Sequence, residues 1–354
     1  MAGNTFGKIL RLTTWGESHG EAVGAVVDGC PPGIALNERD IQRELDRRKP
    51  GSGGGSSPRR EEDRPEILSG IFEGRTTGTP VAIVIRNRDR DSSAYDRLRD
   101  VFRPGHGDYS WYRRYGIRDH RGGGRASGRE TAARVAGGAV AKKILINEGI
   151  SLSACTIELG GIAIGFFDER AIGDTRLCCP DREAAQRMEK VLKEALNRGD
   201  TLGGLVGITV RGCPAGLGDP VFDRMDADLA KALMSIGTVK AVEIGAGIEA
   251  ARMTGSRCND AMGPEGFLSN NAGGILGGIT TGADIVIRVA CKPVPSIALP
   301  QETVDREGNP VTLTVEGRHD TCVIPRILPV CEAMTALVLA DHLLRRRALG
   351  VHSG

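Results

Sequence analysis

No uninterrupted apolar stretch in this chain reaches the length of a membrane span, and the first residues, MAGNTFGKILRLTTWGESHG, lack the apolar run of a secretory signal. The expected location is therefore cytoplasmic, with no membrane partner. Nine cysteines occur, among them the adjacent Cys178 and Cys179, but there is no C-x-x-C and no Cys/His spacing of a zinc site. They read as reduced and structural, with no metal. No G-x-G-x-x-G follows a strand with an acid some twenty residues on, which disfavours a dinucleotide-binding dehydrogenase. The formal net charge is only +2, so no general affinity for polyanions, and no nucleic acid partner, is implied. Lysine is scarce: nine of the 47 basic residues, the rest being arginine, the better residue for gripping phosphate or carboxylate through paired hydrogen bonds.

What the chain does have is 40% apolar residues over 354 positions, enough for a core without staples. Its basic charge is concentrated. From Arg97 to Arg134 ten arginines stand against Asp100, Asp108, Asp119 and Glu130. Within that stretch His106 follows a Pro-Gly turn, and a glycine run, Gly122 to Gly124, is fenced by Arg121 and Arg125 before a Ser-Gly-Arg-Glu helix start. Glycines let backbone N–H groups approach a ligand, and the following helix adds its positive end, a combination suited to phosphate. An Arg-Gly RNA-binding tract is the bland alternative. Against it stand Tyr109, Trp111, Tyr112 and Tyr115 before the glycines and an Ala/Val-rich helix directly after them.

In chain order, Gly16-Glu17-Ser18-His19-Gly20 precedes a strand, Ala22 to Val27. Asn37 caps a helix with Ile41 and Leu45 on one face, which ends at Arg47, Arg48 and Lys49. Gly51 to Ser57 reads as a flexible loop and a possible lid, with Arg59, Arg60 and Arg64 beyond it. A strand from Val81 to Ile85, a helix over 130–146, a strand-like segment from Cys155 to Ile164 and an amphipathic helix opened by Asp181 follow. His120, His342 and His352 are read as structural.

The chain also repeats itself. Val206 to Gly216 matches Val23 to Gly33 at seven of eleven positions, and IxxGxTTG occurs at Ile71 to Gly78 and at Ile275 to Gly282, each followed by Ile-Val-Ile-Arg. Two related halves, about 1–150 and 200–354, are expected within a single 1–354 domain. Its class is α+β: two antiparallel sheets with helices layered between them, helix 130–146 corresponding to the apolar helix 327–344.

The chain resembles the chorismate synthase family over nearly its whole length. The carrying segments are GESHG at 16–20, DRRKPG at 46–51, RRE at 59–61, FRPGHGDY at 102–109, YGIRDHRGGGRASGRETAARVAGGA at 115–139, FDRMDADLAKALMSI at 222–236, NNAGGILGGI at 270–279 and GRHD at 317–320. The resemblance implies an anti 1,4-elimination of phosphate from 5-enolpyruvylshikimate 3-phosphate to give chorismate. It also implies reduced FMN as cofactor, NADPH as a source of reducing equivalents unless a separate flavin reductase serves, and a homotetramer. It further implies that His19 is a general acid beside the departing phosphate, that His106 lies against the reduced flavin, that Asp320 accepts a proton, and that Ser18 and Ser127 form a hydrogen-bond relay. Arg48, Arg129 and Arg134 would face substrate or NADP anions. FMN would be held by Arg125, Ala126, Ser127, Gly237, Thr238, Gly277, Lys292, Pro293, Val294, Pro295, Ser296 and Arg318.

Overall fold

The computed structural model describes residues 3–49, 62–88, 93–315 and 320–350. Two five-stranded sheets form its outer layers. The first contains β1 (Thr5–Phe6), β2 (Arg11–Gly16), β3 (Ala22–Asp28), β4 (Pro65–Ile67) and β5 (Val81–Arg86), in the order β1-β2-β3-β5-β4. The second contains β6 (Ser151–Leu159), β7 (Ile162–Ala163), β8 (Gly204–Arg211), β9 (Val239–Ile244) and β10 (Ile285–Cys291), in the order β9-β10-β8-β6-β7. Every pairing in both sheets is antiparallel. The inward faces follow from alternation: Val81, Ile83 and Ile85 on β5, and Ile285, Ile287, Val289 and Cys291 on β10, are buried.

The helices are α1 (Glu38–Arg47), α2 (Asp108–Tyr115), α3 (Thr131–Ile146), α4 (Arg182–Asn197), α5 (Met225–Met234) and α6 (Ile324–Ala348). Between the sheets, α3 lies on β2, β3 and β5, while α6 lies on β6 and β8; α1 flanks α3, and α5 flanks α6. This is the α+β sandwich the sequence implies. Asn37 caps α1 in a full capping box with Asp40. Asp181 caps α4, which buries Met188, Leu192 and Ala195 and leaves Leu196 exposed. Helix α6 runs longer than the expected 327–344 and is long and apolar enough to cross a membrane by length and composition. Its apolar window is wholly buried by the protein itself.

The two halves share one topology. Strands β2, β3, β5 and β4 stand in the same spatial order as β6, β8, β10 and β9, so the matching order begins at Ser151 rather than near residue 200. Both GCPxG turns are tied in the same way. Thr76 Oγ1 donates to the Pro31 carbonyl (2.6 Å) and accepts from Ile34 N (2.9 Å), and Thr280 Oγ1 does the same with Pro214 (2.7 Å) and Leu217 (2.8 Å). The Ile-Val-Ile-Arg match is offset. Val27 pairs with Val81 whereas its counterpart Val210 pairs with Ile285, so Val81 rather than Ile83 occupies the place of Ile285. An offset of two keeps every side chain on its own face, which is why the motif reads the same in both halves.

The two central helices meet closely. A Cβ built on Gly138 of α3 would fall 2.3 Å from the Cβ of Ala333 on α6, and one on Gly137 would fall 2.5 Å from Leu12 of β2. Beside that contact Glu332, itself buried, accepts from Arg47 Nη2 (2.6 Å), Lys142 Nζ (2.6 Å) and the backbone N–H of Ala154 (2.9 Å), joining α1, α3 and β6 to α6. Burial alone would raise the Glu332 carboxyl, but hydrogen bonds and charge from Arg47 and Lys142 hold it below its ordinary value of 4.5.

Two stability outcomes follow. Gly138→Ala gains about 1 kcal/mol of helix propensity yet should lower stability by a net ~1–3 kcal/mol through overpacking. An unchanged or raised denaturation midpoint would mean that α3 and α6 can separate freely. A carboxyl depressed in the fold adds stability above its unfolded value, here near 4.5, which is lost as pH falls through the lower folded value. Glu332→Gln should therefore destabilise by roughly 2–4 kcal/mol at neutral pH, and its stability should fall less steeply below pH 4.5 than that of the wild type. Parallel pH curves would remove the assignment.

Candidate active site

The Gly-rich stretch between α2 and α3 holds two of the expected histidines at once. Gly122, Gly123 and Gly124 all adopt positive φ, open to glycine at little cost. A Cβ on Gly122 would lie 2.4 Å from His19 Cε1, and one on Gly123 would lie 2.9 Å from His106 Cε1. Consecutive residues of one run thus form the wall against which both imidazoles rest. His19, largely buried, also meets the ring of Tyr95 edge-on, at 5.1 Å between centroids.

Hydrogen bonds orient the rings. Ser18 Oγ donates to the Arg121 carbonyl (3.3 Å) and lies 3.0 Å from His19 Nδ1. With its one proton given to the carbonyl, Ser18 accepts from Nδ1–H, which orients the ring; Nε2 carries a proton as well only when the imidazole is doubly protonated. At His106 the Nδ1 lies 2.9 Å from Asp108 Oδ1 and 3.2 Å from Arg103 Nη2. The shorter contact, to a group that only accepts, places the proton on Nδ1. Asp108 in turn takes Arg103 Nε (2.7 Å) and Nη2 (3.0 Å) and forms an ion pair with Arg118 Nη1 at 3.0 Å. Burial would raise the Asp108 carboxyl; hydrogen bonds from His106 and Arg103, with the charge of Arg103, pull it far below the usual carboxylate range.

The arginines sit in two groups. Arg48 gives Nη1 to Asp63 Oδ2 (3.1 Å), Nη2 to the Gly128 carbonyl (2.7 Å) and Nε to Thr131 (3.0 Å); Arg129 gives Nε to Asn87 (2.8 Å) and Nη1 to the other oxygen of Asp63. Ser127 accepts from the Arg129 backbone N–H as the cap of the short turn before α3. Arg125, Thr14, Glu130 and Arg134 form a second chain: Arg125 Nη2 to Thr14 (2.9 Å), Thr14 to Glu130 (2.7 Å), and Arg134 Nε to Glu130 (2.8 Å). Arg134 Nη1 then reaches Ser235 (2.6 Å) at the end of α5, bringing the second half into the network. Asp320, at the foot of α6, pairs with Arg326, whose Nε reaches the Arg48 carbonyl (3.4 Å).

Three expected FMN segments gather round the His106 loop. Lys292 Nζ donates to the Gly105 carbonyl (2.5 Å), Pro295 abuts Gly105, and Ala126 lies beside Gly107. The Lys292 N–H binds the carbonyl of Thr238, so Gly237-Thr238 adjoins this group, and the Val294 carbonyl is fixed by Thr201 (2.7 Å) with Ser296 buried nearby. Gly277 stands apart, on the tight hairpin beside the GCPAG turn, and no hydrogen bond among the described residues ties it to the histidines. Arg318, His319, His352, Arg59, Arg60 and the 51–57 loop lie outside the described residues. His342 is structural as expected, paired with Asp228 at 2.9 Å. Sequence reading missed Asp108, Asp63 and Arg326: Asp108 stood in FRPGHGDY and could have been found there, whereas nothing local marks Asp63 or Arg326.

Two oriented histidines beside clustered guanidiniums are an arrangement suited to an enzyme acting on an anionic molecule. The sequence profile described as chorismate synthase matches residues 10–344. Chorismate synthase of Syntrophus aciditrophicus is 66% identical over 352 residues, 99% of each chain, and that of Desulfatibacillum aliphaticivorans is 58% identical over 346 residues, 98% of this chain and 97% of the relative. A crystal structure of chorismate synthase superimposes with a TM-score of 0.76 at 34% identity, covering 96% of this chain and 93% of the other. The chain belongs to the chorismate synthase family, the phosphate-eliminating lyases of the shikimate pathway.

The orientation of His106 is directly checkable. Nitrogen chemical shifts of its imidazole near neutral pH should report a proton on Nδ1. A neutral ring protonated only on Nε2 would mean that Asp108 does not set the tautomer.

Proposed function

We propose that the protein eliminates phosphate from 5-enolpyruvylshikimate 3-phosphate with His19 as the acid at the leaving group and reduced FMN against His106. The observation that carries this reading is the shared wall, Gly122 against His19 and Gly123 against His106. Two imidazoles resting on consecutive glycines of one run support giving one the acid role and the other the cofactor-facing role.

The residues fit the cofactor. Ala126 and the Lys292–Pro295 segment come from separate parts of the chain and adjoin the Pro104–Gly107 loop, with Gly237-Thr238 bound to Lys292; Lys292 brings positive charge to the loop, and Arg125 brings its own beside Thr14. When bound, reduced FMN supplies an electron to the breaking C–O bond and recovers it as the hydrogen leaves, so no net redox change results. The chain's own part is acid-base and electrostatic. His19 presents Nε2 with its ring locked by Ser18; His106, held by Asp108, favours the reduced cofactor; Asp320, steadied by Arg326, takes the proton; Arg48, Arg129 and Arg134 grip the anionic groups. NADPH or an external flavin reductase keeps the cofactor reduced.

A homotetramer in the cytoplasm completes the proposal. Exposed apolar side chains such as Phe222, Leu268 and Met262 offer surface for subunit contacts, and nine free cysteines suit a reducing compartment.

Anaerobic turnover with chemically reduced FMN is the test, with NADPH and oxidised FMN in separate arms. His19→Ala and His106→Ala should each lower turnover by roughly a hundredfold or more while the fold persists. Turnover with oxidised FMN and no reductant, or consumption of reduced flavin one for one with product, would overturn the reading.

A further inference from the structure

Asn87 follows β5 directly, at the inward position next after Val81, Ile83 and Ile85, and is 1% exposed. A polar amide stands where the pattern of the strand calls for an apolar side chain. It joins two parts of the site. Nδ2 donates to the carbonyls of Glu17 (3.0 Å) and Gly20 (2.9 Å), the two ends of the turn that carries His19, and Oδ1 accepts from Arg129 Nε (2.8 Å). These partners fix which way the amide points, since the reverse orientation would set its oxygen against two carbonyls and its NH2 against a guanidinium. The turn is closed by the Gly20 N–H on the Glu17 carbonyl (3.2 Å). Ser18 ties its other side to the glycine run, through N–H to the Gly124 carbonyl (3.4 Å) and Oγ to that of Arg121 (3.3 Å). His19 therefore sits in a turn gripped from both sides, and on the side of β5 the grip is Asn87.

The repeat supplies a comparison. Val81 occupies the place of Ile285, so Asn87 occupies that of Cys291, and the Asn87 N–H meets the Glu21 carbonyl (3.0 Å) where Cys291 pairs with Gly204. Cys291 is buried too, and a thiol is an ordinary occupant of an inward strand position. By the same register Thr156 occupies the place of Gly16, and Thr156 to Gly160, the counterpart of GESHG, contains no histidine. The amide belongs to the half that carries the histidine turn. We infer that Asn87 is a positioning residue for His19, its NH2 group holding the Glu17–Gly20 turn, and with it the imidazole, at a set place relative to Arg129. This rests on the acid role proposed above for His19. A displacement of a reacting group on the order of 1 Å can cost about a hundredfold in rate. A grip on the backbone of the turn, unlike one on the ring, sets that place without deciding which ring nitrogen holds a proton.

The test uses Asn87→Asp and Asn87→Ala in the full chain, each alone and combined with His19→Ala. Aspartate has the same shape and can still accept from Arg129 Nε, but it brings no NH2 to the two carbonyls. Both single variants should lower kcat roughly ten- to a hundredfold with KM changed less than about threefold. In the His19→Ala background neither should lower kcat further, because the group they position is gone. The imidazole nitrogen signals of His19 should also move in Asn87→Ala, a readout that needs no turnover. Wild-type kcat in Asn87→Asp would overturn the inference, as would losses that multiply with that of His19→Ala, or unmoved His19 signals. A loss confined to KM would assign the amide to Arg129 instead and overturn it too. Oxidised-FMN binding reports folding; where one variant fails to bind, the other serves, and failure of both would make Asn87 a folding residue and not a positioning one. Unchanged kcat in His19→Ala alone would remove the acid role, while the His19 signals would still decide whether the amide holds the turn.

Discussion

The close approach of α3 to α6 at Gly138 and Ala333 is the constraint on which the rest depends. Two helices sandwiched between two sheets set the spacing of the layers, and any side chain at Gly138 would push them apart. A glycine pair in mid-helix gives up roughly 1 kcal/mol of propensity per residue. It is tolerated because the layers on either side bury Leu12 on one face and Ala333 on the other. Glu332, one residue before Ala333, then fastens α1, α3 and β6 to the same turn of α6.

That contact also fixes the site. Arg129 and Glu130 lie just before α3, Arg134 lies in its first turn, and Asp320 and Arg326 lie at the start of α6. A shift of one helix along the other would part Arg326 from the Arg48 carbonyl and Arg134 from Ser235, two of the links between the first half and the second. The duplicated topology explains why both helices begin at the same end of the sandwich. Each half delivers one long central helix after the same run of four strands, so residues at the two helix starts converge.

How much of this was legible in the sequence differs by kind of signal. Capping and one apolar face marked α1, and apolar or Ala/Val-rich runs marked α3 and α6, although α6 extends beyond the expected 327–344 at both ends. The repeat was legible from its turns, since GCPxG and TTG need particular backbone shapes that survive drift elsewhere. Its residue-level alignment was not: the Ile-Val-Ile-Arg match slides by two residues without moving a side chain to the wrong face, a displacement that alternation cannot detect. In the site, residues within motifs were legible and their partners were not. Asp63 meets Arg48 and Arg129 only through folding, across 15 and 66 positions of chain.

The arginine stretch shows most plainly what charge counting misses. Its local excess suggests a strongly positive pocket, yet five of the ten arginines, among them the three that are buried, are matched to a carboxylate: Arg103 and Arg118 to Asp108, Arg121 to Asp119, Arg129 to Asp63 and Arg134 to Glu130. Left unpaired, so many buried guanidiniums would repel one another and favour unfolding, and they would bind any anion with little discrimination. Pairing each to a fixed carboxylate lowers the field but sets every fork in one orientation. Among the described residues of the stretch, the buried donors left over include Arg118 Nε and Arg129 Nη2. Donors fixed in advance contribute more to anion binding than net charge does, so a formal charge of only +2 is compatible with a chain rich in oriented guanidiniums.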